Sequence, residues 1–329
     1  MSAPARPPFD PELVSTLIAV GEEMPPSITP DMIAGLRERS VRQAPGPEVD
    51  MTLGGVFVEE DHTVPGPDGN AVPLSVWRPV EASPHTGVLY WIHGGGMVGG
   101  VHRGPEMPGL LEMAHELDLA LVSVDYRLAP EHPDPAPVED CYAGLVWLAE
   151  HALGLGADPG RVVVGGSSAG AGLAAGTCLL ARDRGGPAVR AQLLLSPMLD
   201  DRNDTVSAHQ MVGVGVWDRT ANNTGWTALL GERRGGPDVS CYAAPARAQE
   251  LSGLPPTFLE VGSAETFRDE VVAHASRIWQ AGGEAELHVW PGGFHSFANF
   301  CPDARLSRDS VVPRVLWLRR ILGRTTFTS

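Results

Sequence analysis

The sequence predicts an α/β fold: a mainly parallel sheet with helices on both faces. Three observations carry that expectation. Short, nearly continuous apolar runs alternate with helical stretches, which is how strands buried on both faces read. Glycine-rich loops follow several of these runs, at the strand ends where parallel sheets bind their ligands. One segment, 199–254, has no clear strand and interrupts the alternation, as a lid inserted over a site would.

With 329 residues and 43% hydrophobic content, the chain can bury the core of one large α/β domain with an insertion. Residues 1–50 are proline-rich and read as an arm with helices at 11–20 and 31–43, the second capped by Thr29 or Asp31. Extended runs at 56–64 and 71–77, joined by Pro65-Gly66-Pro67-Asp68-Gly69-Asn70, predict a hairpin that opens the main domain. Further strands are expected at 87–92, 120–124, 161–164, 191–195, 257–261 and 286–290. Helices are expected at 108–117, 137–153, 169–184 and 268–281, with 312–322 closing the chain.

Charge and composition exclude several classes of partner. A net charge of -16 without a Lys/Arg cluster argues against nucleic acid and anionic membranes. Four prolines, Asp10 and Glu12 interrupt any signal-peptide pattern in the first twenty residues, and no apolar run reaches the roughly 18 to 20 residues of a membrane span. Cys141, Cys178, Cys241 and Cys301 are scattered without metal-ligand spacing, so reduced thiols and a cytoplasmic location are expected.

The chemistry centres on Ser168, in Gly166-Ser167-Ser168-Ala169-Gly170 between an expected strand and an Ala/Leu-rich helix. That context makes a nucleophile elbow, a sharp turn that exposes a serine oxygen at the top of a sheet. By composition alone such a pentapeptide arises in about one chain in four, so the motif needs support from elsewhere. An overlapping dinucleotide-like pattern, Gly170-Ala171-Gly172-Leu173-Ala174-Ala175, begins too late to form the phosphate-binding turn. Support comes from three other loops. His93-Gly94-Gly95-Gly96 follows an expected strand and can aim backbone N–H groups at a developing oxyanion, with the N–H of Ala169 as a further donor. His295, in Gly292-Gly293-Phe294-His295, follows the last expected strand and suits a general base. His85, His102, His115, His132 and His151 read as solvent residues. For the acid that orients the imidazole, the segment after 257–261 offers Glu265 at the strand end, and Asp269 and Glu270 further along. The chain order serine, acid, histidine is that of α/β-hydrolases.

Together with these motifs, Asp125-Tyr126-Arg127-Leu128-Ala129-Pro130-Glu131-His132-Pro133 gives the chain a resemblance to the hormone-sensitive-lipase-like esterases of the α/β-hydrolase superfamily. The resemblance spans roughly residues 74–297 and implies an eight-stranded α/β-hydrolase fold with a helical cap. The catalytic unit would comprise 51–198 and 253–329, and the cap 1–50 and 199–252. It implies a serine carboxylesterase acting on small esters of short to medium acyl chains, with Ser168, Glu265 and His295 as triad and Gly95, Gly96 and Ala169 as oxyanion donors. No metal or organic cofactor is implied. A homodimer would pair through strand 286–290 and the C-terminal helix. The chain departs from the family pattern at Ser167 and Glu265, where the family usually carries aspartate, so Asp269 stays open as the acid. Two rival readings use the same fold: a non-catalytic small-ligand receptor, and an amidase or deacetylase with the same triad. Met211, Val212, Val214, Val216, Trp217 and Trp226 are the candidates for an apolar pocket wall in the insertion.

Overall fold

The strands β1 (Phe57–Pro65), β2 (Ala71–Pro79), β3 (Gly87–Ile92), β4 (Leu119–Val124), β5 (Val162–Ser167), β6 (Ala191–Leu195), β7 (Thr257–Gly262) and β8 (Ala285–Trp290) form one sheet in the order β1-β2-β4-β3-β5-β6-β7-β8. They are seen in a computed structural model that describes residues 4–323; residues 1–3 and 324–329, the outer ends of the expected cap and catalytic units, lie outside the described residues. β2 runs antiparallel to β1 and β4, and every other pairing is parallel. This is the α/β-hydrolase architecture expected from the sequence.

Strand periodicity divides the core between the two faces. Val88, Tyr90 and Ile92 of β3 face one layer, with α4 (Ala136–His151), α5 (Ala169–Arg184) and α8 (Arg268–Gln280). Leu89 and Trp91 face the other, packed with α3 (Met107–Glu116) and α10 (Arg305–Gly323). α5 is buried continuously from Ala169 to Ala181, which is why its sequence has no polar stripe and consists of small and apolar residues.

The arm contributes α1 (Pro11–Glu23) and α2 (Ile33–Gln43), and the insertion α6 (Val206–Gln210) and α7 (Arg219–Leu230). Asp10 caps α1 and Asp218 caps α7, each accepting from a first-turn N–H. The arm meets the insertion through polar contacts: Ser27 Oγ donates to Asp218 at 2.7 Å, Asp218 N donates to Pro26 O at 3.2 Å, and Thr224 Oγ1 donates to Ile28 O at 2.7 Å.

Some local expectations need correction. Neither Thr29 nor Asp31 caps the second arm helix: Thr29 donates to Asp31 itself, a short 3₁₀ turn at Pro30–Met32 precedes the helix, and Met32 occupies the cap position. α10 starts at Arg305, seven residues before the expected 312, with Arg305 N donating to Glu12 of the arm at 2.8 Å. A one-turn helix, α9 (Phe297–Phe300), was not legible in the sequence. Among the described residues no helix is long and apolar enough to cross a membrane, and no cluster of His, Cys, Asp or Glu is arranged to hold a metal.

Candidate active site

Sheet register brings the motif loops together. Ile92 pairs with Gly166, so the loops leaving β3 and β5 emerge side by side; Ser167 pairs with Leu195, and Gly262 with Trp290. Ser168 stands at the tip of the β5–α5 turn with φ of 56°, a left-handed conformation that costs a side-chain-bearing residue about 1 to 3 kcal/mol. Backbone bonds hold it there: Ser168 N donates to Leu195 O at 2.8 Å, and its carbonyl accepts from Met198 N at 3.0 Å and Gly172 N at 3.1 Å. Gly170 has to be glycine, because a Cβ there would overlap the carbonyls of Ile92 and His93.

A continuous hydrogen-bonded relay runs from the turn. Ser168 Oγ lies 2.9 Å from His295 Nε2, and His295 Nδ1 lies 2.9 Å from Glu265 Oε1. Since a carboxylate only accepts, Nδ1 carries the proton and Nε2 is free to accept from the serine hydroxyl. The second Glu265 oxygen accepts from Gly262 N at 2.9 Å and from Ser196 Oγ at 3.0 Å. Glu265 is 1% exposed and His295 6%, so both side chains are buried. The other two candidate acids are occupied elsewhere. Asp269 accepts from Ser207 N of α6 at 2.7 Å and from Arg268 at 2.8 Å. Glu270 accepts from Leu199 N at 2.7 Å, and burial pushes its carboxyl well above the usual range.

The glycine loop is braced from below and from above. Below, His93 stacks on Tyr126 at 4.3 Å, its Nδ1 donates to Gly94 O at 2.8 Å, and its carbonyl accepts from Tyr126 OH at 2.9 Å. Burial lowers the His93 pKa to about 4, so the ring stays neutral near neutral pH. Above, the Trp217 ring covers Gly96, where a Cβ would overlap it, and Gly96 has φ of 65°. Trp217 is tied in turn to the acid loop, because Thr266 Oγ1 donates to its carbonyl at 2.7 Å. One residue of the insertion thus touches the loops on both sides of Ser168. Ala169, the first residue of α5, follows Ser168 directly, so its N–H is one of the helix-terminal donors without an intrahelical partner.

A cavity of about 370 Å³ opens over Ser168 between the body, the arm and the insertion. Of the six apolar candidates, Val216 and Trp217 line it; Met211 and Trp226 are buried in packing, and Val212 and Val214 lie outside the lining. His102 also differs from expectation: it is half-buried, 3.3 Å from Asp125, while His85, His115, His132 and His151 are exposed. Ser196 was missed. Its only signal was its place directly after an apolar strand, the criterion that singled out the other loops.

Comparison with known proteins gives the family and the fold. A family model described as alpha/beta hydrolase fold matches residues 89–299. Carboxylic ester hydrolase LipN of Mycobacterium tuberculosis is 36% identical over 263 residues, which is 78% of this chain and 66% of LipN. Esterase LipI of the same organism is 33% identical over 327 residues, 98% of each chain. Among solved structures, a bacterial heroin esterase superposes with a TM-score of 0.88 at 39% identity, covering 96% of this chain and 98% of its own. Esterase LipW from Mycobacterium marinum gives 0.85 at 32% identity, covering 97% and 99%.

Proposed function

We propose, from the premise that this chain belongs to the hormone-sensitive-lipase-like carboxylic ester hydrolases of the α/β-hydrolase fold, that it cleaves small esters through an acyl-enzyme on Ser168. Ser168 gives its proton to His295 Nε2 as its oxygen attacks the ester carbonyl. The oxyanion of the tetrahedral intermediate then faces the N–H groups of Gly95, Gly96 and Ala169. His295 returns the proton to the departing alcohol, and the acyl group stays on the serine. Water, deprotonated by the same nitrogen, attacks the acyl-enzyme and releases the acid. Glu265 holds the imidazole in the Nδ1–H tautomer and offsets the charge of the imidazolium.

The observation that carries this reading is the unbroken relay from Ser168 through His295 to Glu265, with both links at 2.9 Å. The cavity is near the small end of ligand pockets, which span about 300 to 1,000 Å³, and this favours short- to medium-chain acyl esters. The bonds between arm and insertion favour the division into a body of 51–198 and 253–329 and a cap of 1–50 and 199–252.

The test is turnover of p-nitrophenyl butyrate. Ser168→Ala is expected to lower kcat by about 10⁴-fold or more while the protein stays folded. Glu265→Gln is expected to lose about 10² to 10⁴-fold, and Asp269→Asn no more than about threefold. Full activity in Ser168→Ala, or a larger loss in Asp269→Asn than in Glu265→Gln, refutes the assigned roles. Paired ester and amide substrates separate an esterase from an amidase.

A further inference from the structure

We propose that the cleft selects esters bearing an alkylated ammonium group, and that Glu106 is the residue that recognises the cation. The inference rests on reading the cavity over Ser168 as the ester site. Glu106 lines that cavity at the start of α3, yet its side chain does not cap the helix. Besides its own backbone N–H, the carboxyl accepts a long hydrogen bond from Trp91 Nε1 at 3.4 Å. Among the described residues no cation lies within ion-pair distance of it, whereas Glu60, Glu131, Glu139 and Glu260 each hold an arginine. The cation on the same wall, Arg39, has its own carboxylate in Glu23 at 3.2 Å. The lining therefore carries one carboxyl group without a protein cation beside it.

The rest of the wall suits the periphery of such a cation. Trp217 and Phe300 contribute aromatic rings, and Met24, Leu36 and Val216 apolar surface. Aromatic faces attract cations, most strongly those that shed water readily, and an alkylated ammonium does so at little cost. Burial raises the Glu106 carboxyl above its ordinary range, a penalty that a cation beside it reverses. A neutral ester of the same shape gains only the apolar contact. A carboxylate-bearing ester would bring like charge against Glu106.

Two substrates of one shape separate these cases: the acetate ester of choline and neohexyl acetate, in which carbon replaces the ammonium nitrogen. The readout is the ratio of their kcat/KM values in the wild type and in Glu106→Gln. The wild type is expected to favour the choline ester by about tenfold, the size of one partly desolvated charge contact, and the variant to bring the ratio close to one. A wild-type ratio near one, or the same ratio in both enzymes, overturns the inference. If wild type turns over p-nitrophenyl butyrate in that case, the ester-site reading stands; if it hydrolyses none of these esters, both fall. Should Glu106→Gln fail to fold, competition on the wild type decides: choline should inhibit butyrate turnover several-fold more strongly than neohexanol, and equal inhibition refutes the proposal.

Discussion

The body and the proposed cap hold their candidate site residues by different means. In the body, the loops that carry His93, Ser168, Glu265 and His295 all leave the ends of hydrogen-bonded strands, so their relative positions follow from register: Ile92 against Gly166, Gly262 against Trp290. Among the described residues of the proposed cap there is no ladder. Buried Asp218 accepts from Ser27, Gly213 N and Ala221 N, and buried Asp201 accepts from Arg247 and Gly235 N; these few side chains join segments far apart in sequence. The difference teaches where each region is vulnerable. The body should tolerate the loss of single polar contacts but not of space at its turns, whereas the cap should depend on individual anchors.

The largest effect should come where the two regions touch. Gly96→Ala puts a methyl group into the Trp217 ring at a positive φ, and should lower kcat about 10²-fold, the scale of a displaced oxyanion donor. Adding Trp217→Ala should restore part of that loss; steady-state kinetics of the double variant showing no recovery would break the idea that the cap seats on the glycine loop. Asp218→Ala comes next. It leaves three donors without their acceptor at the junction of arm and insertion, and should destabilise the protein by about 3 kcal/mol. Denaturant unfolding reads that loss, and limited proteolysis should cut the cap before the body. The smallest effect tests the body alone. Burial lowers His274, like His93, from 6.5 to about 4. A depressed folded-state pKa means that stability is fully present above about 6.5 and is lost as pH falls toward 4, at about 1 kcal/mol per pH unit for each group. His274→Leu should make that acid slope shallower in thermal melts, and an unchanged slope would count against a neutral buried His274.

Legibility in the sequence follows the same division. All eight strands were readable because apolar runs buried on both faces leave a local signal, and the loops were readable because they begin where those runs end. Register across the sheet was not readable, nor were the tertiary partners of the three acids: Glu265 beside His295, Asp269 against α6, Glu270 beneath Leu199. α6 and α7 left no clear pattern, since their buried residues answer to the arm and the body and not to a sheet. Trp217 was legible as an apolar residue, but its seat on Gly96 was not, because nothing local links residues so far apart. Ser196 stayed hidden for a simpler reason: a lone serine after a strand resembles any turn residue until its partner is known.

The backbone bonds that seat Ser168 end at Leu195 and Met198, one residue before the insertion begins. None of these bonds comes from the insertion, although Val216 and Trp217 of the insertion help to line the cavity over the serine. Lengthening or shortening the insertion would leave those backbone bonds in place. A grafted segment would have one condition to meet, a flat side chain over Gly96 where Trp217 now lies.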